Sequence, residues 1–393
     1  MRVIQSVVGT FHHFDLAQQL HRRGHLQKIY STWPWARLKR EGLPRELVET
    51  FPWLHTPNYV LGRNRFYPRT LSMAVDNLNN DLFDRWISAR RGECDALIAL
   101  SGTAMKTGRQ LQAEGGRYIC DRGSTHHRYQ ANIVAEEHVR WGVAPPLAEE
   151  KATRREEACY AMADAITVPS SVAKRSFLAM GVPGEKVHVI PYGMMLKTLQ
   201  DPPRPPADSF EVIFAGHVSL RKGMPYLLEA FAKVSHPRKK LTVVGSVQDS
   251  IRALLQRLPS ADVEYVGPIP QSQLIERLCA SHLLVLPSIE EGLALVQGQA
   301  LACGCPVLAT AETGSEDLLN DGVEGFIVGP RDVKALAEKM QLVADHPALR
   351  EEMSRAALAR VQKLGGWDGY GDAWERLLLS LVAPKSAGRG VDE

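Results

Sequence analysis

The sequence predicts an α/β protein with two doubly wound domains, each a parallel β-sheet with helices on both faces. Short apolar runs alternate with longer segments of helical spacing along most of the chain. A run with four prolines in six residues, at 201–206, interrupts this alternation near the middle. The length of 393 residues fits two domains, because domains usually contain about 100–200 residues.

The first half begins with an apolar, β-branched run at 3–8, which predicts a strand, and a segment of helical spacing at 14–23 follows it. The same rhythm continues towards the middle of the chain. Further strands are predicted at 96–100, 118–120, 165–169 and 187–191, and further helices end at Arg109 and cover 171–180. Helices that connect successive strands imply a parallel sheet.

The proline-rich stretch at 201–206 is predicted to be a linker, since proline is excluded from helix interiors and central strands. It separates an N-terminal domain, 1–200, from a C-terminal domain, 201–366. The second half has predicted strands at 211–215, 240–244, 263–266, 283–287 and 306–309, and predicted helices at 224–234, 250–257 and 295–302. The two sheets are expected to face each other across a cleft, with ligands bound in loops at the carboxyl ends of strands.

The composition argues against several classes of protein. A formal net charge of +3 does not favour a nucleic-acid-binding protein. No apolar run approaches the roughly 20 residues of a membrane-spanning helix, and the opening residues are interpreted as a strand rather than a secretory signal. The six cysteines form no C-x-x-C pair, which favours reduced thiols in a cytosolic protein over a zinc site or a disulfide framework.

Two cations follow the first strand of the second half. Arg221 and Lys222 lie between Gly216 and Gly223, at the point where a strand leads into a helix. The glycines allow the backbone to approach a ligand closely, and the cations together with a helix N-terminus favour a negatively charged group. This loop therefore suits a diphosphate, although a solvated basic turn is also compatible with the sequence.

A second loop, after the strand that ends at Pro287, contains small residues and then a helix that Gly304 and Pro306 end. Backbone N–H groups at the start of this helix are expected to point towards an anion. Glu291 and Gln299 are eight residues apart, about two helical turns, so we expect them on the same helix face. Two polar side chains with this spacing could bind two parts of one polyhydroxylated ligand.

Taken together, these segments resemble the retaining glycosyltransferases of family 4, the glycosyl transferases group 1, which have the GT-B fold. The resemblance is carried by 287–310 and 216–223, and by 163–171, 185–193 and 320–326. It implies a hexosyltransferase that needs neither a metal ion nor a cofactor. The enzyme would transfer a hexose from a sugar linked to UDP or GDP to a glycan or lipid-linked acceptor in polysaccharide biosynthesis. A C-terminal helix, about 367–385, is expected to pack on the N-terminal domain.

The resemblance also implies roles for individual residues. Arg221 and Lys222 would bind the diphosphate leaving group, and Glu291 would contact the donor sugar. Gln299 would reach the ribose. The donor would further be held by Gly216, Gly267, Gly292, Leu293, Ala294, Leu295 and Val296.

In the N-terminal half, the loop after the first strand contains Gly9, Thr10 and His12, and we expect it to close over the diphosphate near the acceptor. The resemblance also implies a histidine that follows a strand end of this domain and faces the reacting sugar. His126 is the candidate for it, with His127 as the second choice. Glu136 and Glu137, on the next helix, are expected to face solvent, and binding of an acceptor hydroxyl is the alternative.

Residues 21–70 have an unusual charge. They contain ten Lys or Arg against three acidic residues, and three of the seven tryptophans. Basic side chains attract anionic headgroups and aromatic rings settle at bilayer interfaces, so this segment is a candidate for peripheral contact with the inner face of a membrane. The alternative is an acceptor-domain loop whose aromatic residues belong to the core.

Three residues depart from the family pattern: Gln299 in place of the usual Glu, His217 in place of a frequent Arg, and Met195 in place of Asp. They leave two alternatives to the transferase open. One is a nucleotide-sugar epimerase of the same fold, and the other is a non-catalytic subunit that binds a sugar nucleotide. A dehydrogenase is disfavoured, because no G-x-G-x-x-G follows the first strand.

Overall fold

Two parallel β-sheets organise the chain, which confirms the predicted fold class. The computed structural model describes residues 1–62, 66–147, 149–194 and 202–382. The first sheet has seven strands in the order β3-β2-β1-β4-β5-β6-β7, and the second has six in the order β10-β9-β8-β11-β12-β13. All the strand pairs described are parallel, so within each sheet the carboxyl ends of the strands lie at one edge.

The strands of the first sheet are β1 (Val3–Val7), β2 (Leu26–Ser31), β3 (Val48–Thr50), β4 (Ala96–Leu100), β5 (Arg117–Asp121), β6 (Ala165–Val168) and β7 (Val187–Val189). The helices of this half are α1 (His13–Arg22), α2 (Trp35–Leu38), α3 (His55–Leu61), α4 (Arg69–Ser88), α5 (Met105–Ala113), α6 (His127–Arg140), α7 (Glu150–Met162) and α8 (Ser171–Ala179). The central strands β1 and β4 are buried almost throughout, as expected for a sheet covered on both faces.

The strands of the second sheet are β8 (Phe210–Ala215), β9 (Lys239–Val244), β10 (Val263–Gly267), β11 (Leu283–Leu286), β12 (Val307–Thr310) and β13 (Gly325–Val328). The helices are α9 (Met224–Lys233), α10 (Arg252–Leu255), α11 (Gln271–Cys279), α12 (Leu295–Ala302), α13 (Val333–Asp345), α14 (Pro347–Lys363) and α15 (Gly366–Val382). Phe214, Leu284 and Leu308 of the central strands are fully buried in the core of this sheet.

The chain divides into two compact units. Unit 1 comprises the described residues of Met1–Arg122, Arg154–Thr167 and Trp367–Glu393, and unit 2 those of Gly123–Thr153 and Val168–Gly366. This division does not follow the predicted boundary at residue 200, which lies outside the described residues. Segment 123–153 belongs to the unit of the second sheet, and its Glu137 accepts hydrogen bonds from Tyr226 in α9 and from Arg331.

Helix α15 belongs to unit 1. Its Trp374 is fully buried, and Arg23 at the end of α1 contacts Asp372 at 2.5 Å. His25 contacts Glu375 at 2.6 Å, and Arg117 donates a hydrogen bond to the carbonyl of Leu381. One buried ring and several polar contacts therefore hold the last described helix against the first sheet of the unit.

Candidate functional site

Four charged side chains meet at the edge of the second sheet where β8 and β11 end. Arg221 and Lys222 follow β8, and Glu290 and Glu291 follow β11. Nη1 of Arg221 lies 3.2 Å from Glu290 Oε2 and 3.6 Å from Glu291 Oε1, and Lys222 forms an ion pair with Glu291. These four residues, called the charged cluster below, contain two positive and two negative groups.

The absence of a side chain at Gly223 brings the two loops of the charged cluster together. A Cβ atom at Gly223, whose φ is +69°, would lie 1.9 Å from the carbonyl oxygen of Pro287 at the end of β11. No side chain fits at this distance, so any residue other than glycine would push the loops apart. The glycine therefore sets the approach of Arg221 and Lys222 to the two glutamates.

Glu290 is fully buried, yet it is surrounded by hydrogen-bond donors. Its Oε1 accepts from the hydroxyls of Thr125 at 2.6 Å and Ser124 at 3.2 Å, and its Oε2 accepts from Gln130 Nε2 at 2.8 Å and from Arg221. Burial opposes ionisation, but the charge of Arg221 and the hydrogen bonds from Thr125, Gln130 and Arg221 outweigh it. The pKa of Glu290 is therefore held below its usual value, and the residue is a carboxylate at neutral pH.

Arg221 keeps part of its side chain, 30%, accessible to solvent, whereas Lys222 and Glu291 are each 13% exposed. Burial disfavours the charge of Arg221, but Glu291 and Glu290 more than compensate, so the pKa of Arg221 is raised above its ordinary value. The guanidinium and ammonium groups are thus fixed cations at a strand edge, where an anion would meet them.

The loop after β11 leads into helix α12, but it corrects one sequence-based prediction. Helix α12 begins at Leu295, so Glu291 precedes the helix and does not share a helix face with Gln299. Leu293 and Ala294 are buried, and the N–H of Ala294 donates to the carbonyl of Thr313 at 3.3 Å. The expected alignment of the two polar side chains was wrong because the loop continues for three residues after Glu291.

The remaining predicted donor residues lie on this loop, on α12 and at the ends of β8 and β10. Gly292 packs so closely that a Cβ there would come within 2.5 Å of the carbonyl oxygen of Gly123. Gln299 and Val296 are partly exposed on α12, Leu295 is exposed, and Gly216 lies at the end of β8. Gly267 ends β10, and a Cβ there would meet open space.

Three histidines that the sequence analysis named lie in unit 2, each in a different setting. His126 precedes α6 and is 3% exposed; its N–H donates to Ser176 Oγ at 2.8 Å, and its ring lies edge-on to Phe177. His127 Nδ1 lies 2.9 Å from the hydroxyl of Thr153. The family departure His217 is exposed and contacts Ser246 Oγ at 2.8 Å, and Met195 lies outside the described residues.

Two glutamates predicted to face solvent do not behave alike. Glu136 is about half exposed, but Glu137 is fully buried. Glu137 accepts hydrogen bonds from Tyr226, from Trp141 Nε1 at 2.9 Å and from Arg331 Nε at 2.7 Å. The prediction for Glu137 was wrong because Tyr226 and Arg331, which are far away along the chain, join the nearby Trp141 in supplying hydrogen bonds to the buried side chain.

In unit 1, two adjacent histidines converge on one carboxylate. His12 Nε2 lies 2.6 Å and His13 Nε2 3.3 Å from Asp121 Oδ2, and Thr167 donates to Asp121 Oδ1 at 2.8 Å. Burial lowers the pKa of His13 to about 3, so its imidazole is neutral. Burial also opposes the charge of Asp121, but the two histidines and Thr167 outweigh it and lower the pKa of Asp121.

These three residues, the histidine–aspartate cluster below, lie at the carboxyl ends of β1 and β5. Their potential ligand atoms all lie within 4.8 Å of one another, so they have the spacing of a metal-ligand set. The predicted loop residue Gly9 is nearby in sequence and is fixed by hydrogen bonds with Thr32 and Ser31, and Thr10 is partly exposed. Sequence analysis identified His12 but not His13 or Asp121.

The basic segment 21–70 is mostly engaged within unit 1, apart from residues 63–65, which lie outside the described residues. Arg37 lies 3.7 Å above the buried ring of Trp33, and Lys28 pairs with Glu49 at 3.4 Å. Trp53 and Phe66, in contrast, are 72% and 76% exposed. No helix in the described part of the chain combines the length and apolar character that crossing a bilayer requires.

Sequence analysis did not identify Glu290, Thr125 and Gln130 as members of the site. The adjacency of Glu290 to Glu291 after a strand end was the only local signal. Its burial depends on Thr125 and Gln130, which are more than 150 residues away in the sequence.

Comparison with known families accounts for most of the chain. A model described as "Glycosyl transferases group 1" matches residues 197–360, and a model described as "Glycosyl transferase 4-like domain" matches residues 12–193. The first match contains the charged cluster, and the second contains His12, His13, Asp121 and His126.

Curated relatives share moderate identity with the chain. D-inositol 3-phosphate glycosyltransferase 1 of Catenulispora acidiphila is 29% identical over 63% of this chain and 63% of its own length. The D-inositol 3-phosphate glycosyltransferase of Streptomyces avermitilis is 36% identical over 42% of this chain and 38% of its own length. The matched part therefore covers less than two thirds of either relative.

Solved structures show the same fold over nearly the full length. Sucrose-phosphate synthase from Thermosynechococcus elongatus has a TM-score of 0.72 at 21% identity and covers 98% of this chain and 100% of its own. Anabaena HepE in complex with UDP-glucose has a TM-score of 0.68 at 19% identity and covers 97% and 100%. The two-sheet architecture is thus the GT-B fold.

Proposed function

The chain belongs to the group 1 glycosyl transferases, and from this premise we propose that it is a retaining hexosyltransferase. It moves a hexose from a nucleoside diphosphate sugar, with UDP or GDP as the nucleotide, to a hydroxyl of a glycan or lipid-linked acceptor in polysaccharide biosynthesis. The observation that carries the proposal is the charged cluster, which holds two fixed cations at the carboxyl edge of the second sheet.

The cations act on the leaving group. Breaking the bond between the sugar and the phosphate leaves negative charge on the diphosphate, and Arg221 and Lys222 stabilise that charge as it develops. The start of α12 adds backbone N–H groups on the same side of the sheet. In this proposal no metal ion is needed for leaving-group departure, because protein cations supply the charge.

The donor sugar and nucleotide are held by neighbouring residues. Glu291 accepts hydrogen bonds from sugar hydroxyls, and Gln299 binds the ribose through its amide. The backbone of 292–296 holds the sugar and phosphate, Gly216 lets the backbone approach the diphosphate, and Gly267 borders the base. The family resemblance implies these roles, and Gly216, Gly267, Val296 and Gln299 are partly exposed.

Retention of the anomeric configuration is proposed to follow from attack on the same face. Glu290 uses both carboxylate oxygens for hydrogen bonds, and Glu291 pairs with Lys222, so both carboxylates of the charged cluster are engaged. A double displacement needs a free carboxylate nucleophile next to the sugar. We therefore propose that the departing phosphate accepts the proton of the acceptor hydroxyl as that hydroxyl bonds to the anomeric carbon.

His126, with His127 as the second choice, is proposed to face the reacting sugar, since its backbone is fixed at the start of α6 by Ser176. Gly9, Thr10 and His12 are proposed to close over the diphosphate and acceptor. A peripheral contact of segment 21–70 with the inner face of the cytoplasmic membrane would bring a lipid-linked acceptor to the enzyme. The exposed Trp53, and Phe66 next to that segment's basic residues, support this part of the proposal.

A ligand screen followed by an activity assay tests the proposal. Thermal shift with UDP, GDP and their sugars identifies the nucleotide, because a ligand at 100 times its Kd adds about 2.7 kcal/mol to stability. Release of nucleoside diphosphate that depends on an added acceptor then indicates a transferase. Conversion of the donor into its epimer, with no net release of nucleoside diphosphate, indicates an epimerase. Binding with neither release nor epimerisation indicates the non-catalytic subunit that the Gln299 substitution leaves open.

A further inference from the structure

We infer that Glu290 is a positioning residue: it orients the Arg221 guanidinium for the diphosphate and anchors the segment that carries His126. The inference rests on the proposed function, because the proposed function identifies the anion that Arg221 binds as a diphosphate. Neither the family resemblance nor the sequence analysis gives Glu290 a role. Its place in the site follows from the contacts of its two carboxylate oxygens.

The first step is that Glu290 acts through other residues. Its side chain has no exposure, and donors from four residues surround its two oxygens: Ser124, Thr125, Gln130 and Arg221. A carboxylate so enclosed has little capacity to bind a substrate. The donors keep the buried carboxylate of Glu290 ionised, and the carboxylate in turn fixes the positions of the donors.

The second step concerns the guanidinium. Nη1 of Arg221 donates both to Glu290 Oε2 and to the main-chain carbonyl of Glu290, each at 3.2 Å. Among the described residues, the hydrogen bonds of this guanidinium all use Nη1. A planar guanidinium fixed at one nitrogen presents its Nε and Nη2 in a known direction, which is the geometry that binds two phosphate oxygens.

The third step concerns the other side of the carboxylate. Ser124 and Thr125 immediately precede His126, and Gln130 lies one turn into α6. One buried charge therefore ties Arg221, at the end of β8, to the segment that includes the proposed sugar-facing histidine. Removing that charge is expected to loosen both.

The sign of one measurement separates this inference from simple charge neutralisation. If Glu290 only cancelled positive charge, then Glu290→Gln would strengthen the binding of an anion, since it removes a negative charge from the cluster. If Glu290 positions Arg221, the same variant weakens anion binding, because a neutral amide oxygen holds the guanidinium less firmly than a carboxylate does. The amide N–H₂ would then face Ser124 and Thr125, whose hydroxyls would have to accept where they now donate.

The experiment compares UDP with uridine, or GDP with guanosine if wild type prefers it, by calorimetry or ligand-observed NMR. Glu290→Gln is expected to weaken the diphosphate by about 10-fold or more, which is the loss of a charge-assisted contact, and to change nucleoside binding by less than about 2-fold. Glu316→Gln, which removes a half-exposed carboxylate of the same unit, is the matched control and should change neither.

Thr125→Val removes one donor from Glu290 with little change of shape, and it serves if Glu290→Gln does not fold. It is expected to weaken binding of the diphosphate but not of the nucleoside, and by less than Glu290→Gln does. Tighter or unchanged diphosphate binding in a folded variant overturns the inference, and so does an equal loss for nucleoside and diphosphate. If wild type itself binds no nucleoside diphosphate, the proposed function fails instead.

Discussion

Glu291→Gln is predicted to bind the free nucleoside diphosphate more tightly while it transfers sugar more slowly. In the structure Glu291 pairs with Lys222 and lies 3.6 Å from Arg221, so its carboxylate occupies cations that the diphosphate needs. A bound phosphate therefore has to share these cations with Glu291 or displace it. The amide of glutamine has nearly the same shape but carries no charge to compete.

The size of the gain follows from Coulomb's law. A phosphate charge that contacts Lys222 from the side opposite Glu291 lies about 6 Å from that carboxylate. With an effective dielectric constant of about 20–80, the repulsion removed is about 0.7–2.8 kcal/mol, or about 3- to 100-fold in affinity. Transfer is expected to fall, because sugar hydroxyls lose an ionised acceptor in the reacting complex.

Titration calorimetry with UDP or GDP measures the first effect, and initial rates with the donor sugar and acceptor measure the second. Both are repeated at low and high salt, since an electrostatic gain shrinks as ionic strength rises. Glu316→Gln again controls for the change in net charge. Weaker binding of the free diphosphate by Glu291→Gln, or a gain that salt leaves unchanged, would refute this reasoning.

Four further predictions concern the same protein. Arg221→Ala and Lys222→Ala should each weaken the nucleoside diphosphate by about 10- to 150-fold in calorimetry, and wild-type affinity in both would contradict their assignment. Activity should persist in excess chelator; loss that Mg²⁺ or Mn²⁺ restores would contradict this and direct attention to the histidine–aspartate cluster. Gln299→Glu should strengthen binding of the donor by at most about 1–2 kcal/mol, and Gln299→Leu should weaken it. If Gln299→Glu turns over and wild type does not, the glutamine at this position has inactivated the enzyme. Trp53→Ala combined with Phe66→Ala should reduce cosedimentation with anionic vesicles, and unchanged binding would exclude these rings as the contact.

The parts of the fold and site that sequence predicts are those with local causes. Apolar runs identified β1, β4, β8 and β11, and glycine and proline marked the loops that hold Arg221, Lys222 and Glu291. Strand β2 was missed because Gln27 and Lys28 interrupt its apolar run, although the strand lies inside the sheet.

Contacts between distant segments account for the rest. Glu290 and Glu137 look like surface residues in the sequence, and only their partners, far away along the chain, make burial of their charge possible. The expected common face of Glu291 and Gln299 failed for a local reason, since the start of α12 lies four residues beyond Glu291. A boundary error of a few residues is enough to remove such an alignment.

The equal numbers of positive and negative groups in the charged cluster bear on which anions reach it in a crowded cell. A site with two exposed cations and no acidic neighbours would attract any phosphate compound from a distance. Here the two glutamates cancel that attraction beyond a few ångströms, so abundant free phosphates gain little by entering. If the proposed function holds, a ligand that also offers a base, a ribose and sugar hydroxyls gains further contacts, so we expect the ion pair of Glu291 and Lys222 to favour complete donors over free phosphate.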